Sequence, residues 1–124
     1  MKRTSSIIAV ALTVLLLAVL CGQAWAAYKN ASGKVTMLRV HEVQSKYGPS
    51  SDELDAEVVF KLDSLPNLAF GFKLRNDSNL ATHQGMLDLL RDAFKNGDTV
   101  YTDYTQDAEF PKKNCEVSRI WITK

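Results

Sequence analysis

The most regular alternation of apolar and polar side chains lies mid-chain. Leu54, Ala56, Val58, Phe60 and Leu62 alternate with Asp55, Glu57, Val59, Lys61 and Asp63. After the turn DSLPN, Leu68, Phe70, Phe72 and Leu74 alternate with Ala69, Gly71, Lys73 and Arg75. A period of two puts one set on a buried face and the other in water. Both runs therefore predict strands, and their short proline-containing connection predicts an antiparallel pair. The wet faces carry opposite charges, Asp55, Glu57 and Asp63 against Lys73 and Arg75. Such cross-strand pairs are worth a few tenths of a kcal/mol each, which is ordinary sheet chemistry. The period then becomes helical. His83, Leu87, Leu90 and Phe94 recur at i, i+4, i+7 and i+11, with Met86 and Ala93 widening the stripe. The spacing predicts a helix over Thr82–Asn96, with Thr82 as N-cap, Lys95 in the last turn and Gly97 just beyond it.

The flanking segments complete the architecture. Lys34 to Tyr47 is rich in β-formers, but Val35 and Met37 fall on one phase and Leu38 and Val40 on the other. A long strand that bends or bulges shifts phase in this way. The polar lead-in Ala27–Ser32 is expected to be loosely held, and YGPSSDE is a loop. DTVYTDYT predicts a fourth strand with Val100, Thr102 and Tyr104 on one face, and QDAEFPKKN is a loop. In the closing strand, Ser118, Ile120 and Ile122 share one phase, and Val117, Arg119 and Trp121 share the other. The order is β-β-β-α-β-β in a mainly β chain with one helix. It matches an OB-fold-like five-stranded barrel whose end is stoppered by the helix. A four-stranded sheet with a helix across one face is the alternative.

The start of the chain sets the expected compartment. Lys2 and Arg3 precede an apolar run from Ile7 to Leu20, and Ala24-Trp25-Ala26 is a small-x-small cleavage site. This is the pattern of a secretory signal peptide cleaved after Ala26, leaving a single domain from Ala27 to Lys124 in the periplasm or outside the cell. The run is shorter than the ~20 residues of a bilayer span, and Leu20 is bulkier than the small residue a lipoprotein carries before its cysteine. No stable membrane anchor is expected after cleavage. Loss of Lys2 and Arg3 takes the formal charge from +1 to −1. Without a basic tract, nucleic acid is a poor fit as a partner. Cleavage also removes Cys21, so Cys115 is left without an internal disulfide partner. Unpaired, it is read as a small buried hydrophobe at a strand start, ahead of an intermolecular bond or a reactive thiol.

Candidate chemistry is sparse. His41 and His83 are the two histidines, and neither lies in a metal-binding spacing. Asp103, Asp107 and Glu109 lack the alternation and glycine of a calcium loop and are read as a solvated stretch. No nucleophile–base arrangement is legible, so a non-enzymatic protein without cofactor or metal is expected. The aromatics are more informative. Tyr47, Tyr101 and Tyr104 are candidates for a sugar or peptide platform, and Val117 with Trp121 for an interface, because exposed aromatic surface marks interfaces.

Three segments carry a family resemblance: GKV opening the first strand, MLDLLRDAFKNGDTV running from helix into strand, and CEVSRIWI at the end. Together they resemble small secreted bacterial OB-fold proteins similar to the B subunits of subtilase-type AB5 toxins. The resemblance implies the barrel, export, and glycan binding by pentameric rings. Toxin-type relatives pair the late cysteine, and Cys115 departs from that pattern. The expectation is an exported binding module for a glycan, peptide or protein, with self-association into a homo-oligomer open to it through Trp121 and the last strand. The alternative is a monomeric periplasmic inhibitor or accessory protein that inserts the loops Gly48–Glu53 and Gln106–Asn114 into a partner enzyme.

Overall fold

A computed structural model describes residues 27–124; the expected signal peptide and Cys21 lie outside the described residues. The described residues form five strands and one helix: β1 (Ala27–Val40), β2 (Val58–Leu62), β3 (Ala69–Phe72), α1 (Leu80–Asn96), β4 (Thr99–Gln106) and β5 (Asn114–Ile122). The strands close into a barrel in the order β1-β2-β3-β5-β4, with α1 between β3 and β4 in sequence. This is the OB-fold-like barrel.

Closure depends on β1 serving two partners. Its first half, Ala27 to Lys34, pairs antiparallel with β4. Its second half, Val35 to Val40, pairs antiparallel with β2, and the register slips between Val35 and Met37. The slip is the bend anticipated from the phase change. Gly33 sits at the corner between the two halves. A Cβ there would lie 2.5 Å from Asp63 Oδ1 and 2.8 Å from Ser64 Oγ, so a larger residue would displace the side chains through which Asp63 accepts from the Lys34 N–H and Ser64 donates to Ser32 O. The lead-in expected to be loose is instead strand, because its backbone is paired throughout and Ala31 is buried. The strand also ends at Val40, before the expected Tyr47.

Two apolar clusters form. Val58, Phe60, Leu62, Phe70, Phe72, Val100, Tyr104, Cys115, Val117 and Ile120 fill the barrel, and Met86, Leu90 and Ala93 of α1 close it. The helix therefore acts as the expected stopper. Its buried face is narrower than its apolar stripe: Phe94 is 52% exposed, and Leu87 only borders the core. Asn79, not Thr82, is the N-cap, and its side chain makes no capping bond. The C-terminus ends as expected: Gly97 takes φ 70° and its N–H donates to Ala93 O at 2.8 Å.

The second cluster lies outside the barrel. Leu54, Ala56, Val59 and Ala69 pack there with Met37 and Tyr47, beneath the loop from His41 to Glu57. Leu54 and Ala56 thus share a face with Val59, not with Val58 as the alternation implies. Gly71 allows this packing, because a Cβ would meet Val58 O at 2.7 Å, Leu54 Cδ2 at 2.8 Å and Ala56 Cβ at 2.9 Å. Glu57, expected on a wet face, is buried. The anticipated cross-strand pairing survives in Arg75, which bridges Asp55 and Glu57.

Candidate functional site

Three strands present a continuous outer face. Their register places nine side chains in three rows. Ser32 lies beside Tyr101, and Tyr101 beside Trp121; Asn30 beside Asp103, and Asp103 beside Arg119; Tyr28 beside Thr105, and Thr105 beside Glu116. The alternation of β4 explains why. Val100, Thr102, Tyr104 and Gln106 point inward and are buried, so Tyr101, Asp103 and Thr105 must point out. On β5 the register slips where β4 passes from Asp103 to Tyr104. Ser118 is the extra residue, and it re-aims the strand. Cys115 and Val117 point inward before it and Ile120 after it, which leaves Arg119 and Trp121 outside.

The upper row is aromatic. Tyr101 and Trp121 stack with ring centroids 5.6 Å apart and planes 17° from parallel. Arg119 lies 5.8 Å from the Trp121 ring centroid, in range for a cation–π contact. The middle row is a hydrogen-bonded triad. Arg119 donates to Asp103 Oδ2 through both Nε, at 2.8 Å, and Nη2. Asn30 Nδ2 donates to Asp103 Oδ1 at 3.1 Å. The Arg119 hydrogen bonds, helped by Asn30, hold the Asp103 carboxyl below its ordinary range. The triad therefore carries a fixed carboxylate whose lone pairs are largely used, and a guanidinium with free N–H groups.

Two hollows flank this triad. One, of about 530 Å³, is lined by Asn30, Asp103, Arg119, Ile120 and Trp121. The other, of about 490 Å³, is lined by Tyr28, Lys29, Asn30, Asp103, Ser118 and Arg119.

The structure separates the residues expected to act together. Tyr101 and Trp121 share the face, although the sequence placed them under different roles. Tyr104 points inward, is 5% exposed and packs edge-on against Phe70 at 5.0 Å, so it cannot contribute to a surface platform. Tyr47 belongs to the outer apolar cluster, with Arg39 5.7 Å above its ring. Val117 is buried in the barrel and is not part of a surface with Trp121, because the Ser118 bulge reverses its phase. Asp103 is not in a solvated acidic loop; it is a strand residue paired with Arg119. Asp107 is the loop member, its Oδ1 accepting from the N–H groups of Glu109 and Phe110. Asn30, Asp103 and Arg119 escaped the sequence reading. The outward phases of Tyr101 and Trp121 contained the signal for Asp103 and Arg119, two residues from each. Asn30 required the β1–β4 pairing.

Cys115 is buried at the start of β5, and its Sγ donates to Lys112 O at 3.4 Å. Burial, with Asp52 nearby, pushes its thiol up to about 11. Neither histidine offers it a partner: His83 packs against Phe72 at 5.4 Å, and His41 lies beside Tyr47 at 6.1 Å. No family model, curated protein or solved structure matches this chain.

Proposed function

We propose that this protein is an exported, non-catalytic binding module that receives a glycan on the outer face of β1, β4 and β5. One observation carries the reading: the stacked, half-buried Tyr101–Trp121 pair stands beside the Asn30–Asp103–Arg119 triad on the outer face of the barrel. Aromatic carbon surface suits the apolar face of a sugar ring, and fixed amide and guanidinium groups suit its hydroxyls. The sequence resemblance to toxin-type B subunits agrees with this reading, and the leader-like first residues supply the export. A glycan array probed with Ala27–Lys124 and with Trp121→Ala tests it. Binding that Trp121→Ala abolishes supports the reading; no signal on any glycan removes it. Trp121 also gives the simplest route to a homo-oligomer. If copies associate through it, Trp121→Ala yields a monomer at micromolar concentration, and an unchanged sedimentation mass removes that route.

The inhibitor reading draws on a different end of the molecule. Phe110 is 74% exposed on the β4–β5 loop. That loop is tied to the β1–β2 loop, because Asp52 accepts from the Lys113 N–H at 2.8 Å and its carbonyl accepts from Asn114 Nδ2 at 2.7 Å. An apolar tip on a braced rim suits insertion into a partner's cleft. A ring in solution favours the first reading and a monomer the second.

A further inference from the structure

We infer that the outer face holds two adjacent subsites and takes an uncharged oligosaccharide of at least three units; this rests on the glycan reading above. The two hollows share Asn30, Asp103 and Arg119, so the triad is a ridge between them. Each hollow has its own aromatic side chain, Trp121 on one side and Tyr28 on the other. Tyr28 is 75% exposed and has no structural duty in the core. The two aromatics lie in the outer rows, four residues apart along β1 as measured from Tyr28 to Ser32. At about 3.3 Å rise per residue this is roughly 13 Å, beyond the reach of one pyranose ring. Tyr28 is on β1 and Trp121 on β5, with β4 between them, so a ligand that uses both must run diagonally over the ridge and be longer than a disaccharide. The triad would then hydrogen-bond the hydroxyls of a middle unit, and each aromatic would take an outer ring.

Charge selects the class of sugar. The outward rows carry Arg119, Asp103 and Glu116, one cation and two anions. Arg119 is compensated by Asp103 at close range. Lys29 is on the inward phase of β1, and its Nζ donates to Gln106 Oε1 at 2.8 Å, toward the barrel end. Lys73 lies in a neighbouring hollow that it shares with Glu116. A carboxylate-bearing sugar laid over the triad would therefore meet the Asp103 carboxylate beside an arginine that is already paired. A neutral chain loses nothing to this balance.

The test is calorimetric titration of Ala27–Lys124, which contains the whole barrel, with unbranched neutral hexose oligosaccharides of increasing length. Sialylated and uronic-acid-bearing chains of the same lengths form the second arm. Affinity should rise by about ten-fold, or about 1.4 kcal/mol, once the chain passes from two units to the three or more that reach both aromatics. The neutral series should outbind the acidic one. Tyr28→Ala should return the longer chains to the affinity of the disaccharide and leave the disaccharide unchanged; Tyr28 is exposed enough that circular dichroism should show an intact fold. Equal affinity at every length, preference for the acidic series, or indifference to Tyr28→Ala overturns the two-subsite inference while leaving glycan binding in place. Failure of every saccharide to bind overturns both.

Discussion

Glu57 joins the long β1–β2 loop to the end of β3. Its carboxylate accepts the Leu74 N–H at 2.9 Å, the Arg75 Nε–H at 2.9 Å and the Gln44 N–H at 3.4 Å. Gln44 has φ 70°, the one described non-glycine residue with positive φ, so the carboxylate holds a strained corner. Burial alone would raise the Glu57 pKa, but the Arg75 hydrogen bonds and the two backbone N–H groups outweigh it and hold the group below its ordinary range. The folded state then binds this proton less readily than the unfolded chain, where glutamate titrates near ~4.3. Its stabilisation is complete above that pH and is lost as pH falls through the lower folded value. Glu57→Gln should cost about 1–3 kcal/mol at neutral pH and flatten the acid limb of stability. Urea unfolding from pH 7 down to pH 3 measures both, and an unchanged acid limb contradicts the assignment. Cys115 gives the opposite kind of forecast. With its thiol raised to about 11 and buried, almost no thiolate is present at neutral pH. A thiol reagent should label it only as fast as the chain opens, and labelling faster than global unfolding would contradict this. The sequence suggested an inert Cys115, because a lone apolar-phase cysteine at a strand start belongs inside. It could not suggest Glu57, because an acid in the polar phase of a strand normally faces water. Here a loop and an arginine cover it.

The strands and helix were legible where one face alone meets the core. β4 alternates without interruption, and Val100, Thr102 and Tyr104 share one face as expected, but Gln106, expected in the following loop, is its fourth inward residue. Legibility failed where an element has two buried surfaces or a bulge. The segment before β2 changes phase between Ala56 and Val58 because the outer cluster attracts Leu54 and Ala56 while the barrel attracts Val58. β5 changes phase at Ser118, which moved Val117 inward and separated it from Trp121. Nothing in single-strand periodicity marks a bulge that depends on the neighbouring strand. The helix illustrates the same limit. Its apolar stripe includes Phe94, but the barrel mouth covers only Met86, Leu90 and Ala93. Two substitutions separate stripe from contact. Leu90→Ala should lose about 2–5 kcal/mol, and Phe94→Ser should change stability by no more than about 0.5 kcal/mol. Gly71→Ala tests the join between the clusters: two of the three contacts its Cβ would meet are side chains, but the Val58 carbonyl is backbone and cannot move alone. Its expected loss is about 1–3 kcal/mol. Similar midpoints for Leu90→Ala and Phe94→Ser in urea would mean that the helix does not stopper the barrel as described.

A barrel of this size, with its one described cysteine free, has little stability in reserve, so occupancy of its outer face should be visible in its melting. The face is built from three strands that also close the barrel: β1 and β4 pair over eight positions, and β4 and β5 pair from Val100 to Thr105. A ligand lying across them stabilises the folded state alone, because the unfolded chain has no rows. At a free concentration one hundred times its Kd, such a ligand adds about 2.7 kcal/mol. For a domain of this length each kcal/mol moves Tm by about 4–8 °C, so the shift should be about 10–20 °C. Because the ligand is uncharged, the shift should persist when the Debye length falls from about 10 Å at 0.1 M salt to about 3 Å at 1 M. The inhibitor reading predicts another outcome: oligosaccharides leave Tm unchanged, and only a protein that engages Phe110 raises it. Scanning calorimetry with a neutral oligosaccharide long enough to reach both aromatics, on the wild type and on Tyr28→Ala, Trp121→Ala and Phe110→Ser, separates the two. A shift lost in the first two variants and kept in the third locates the ligand on the β1–β4–β5 face. A flat response in the wild type at the solubility limit of the sugar moves the function to the loop rim.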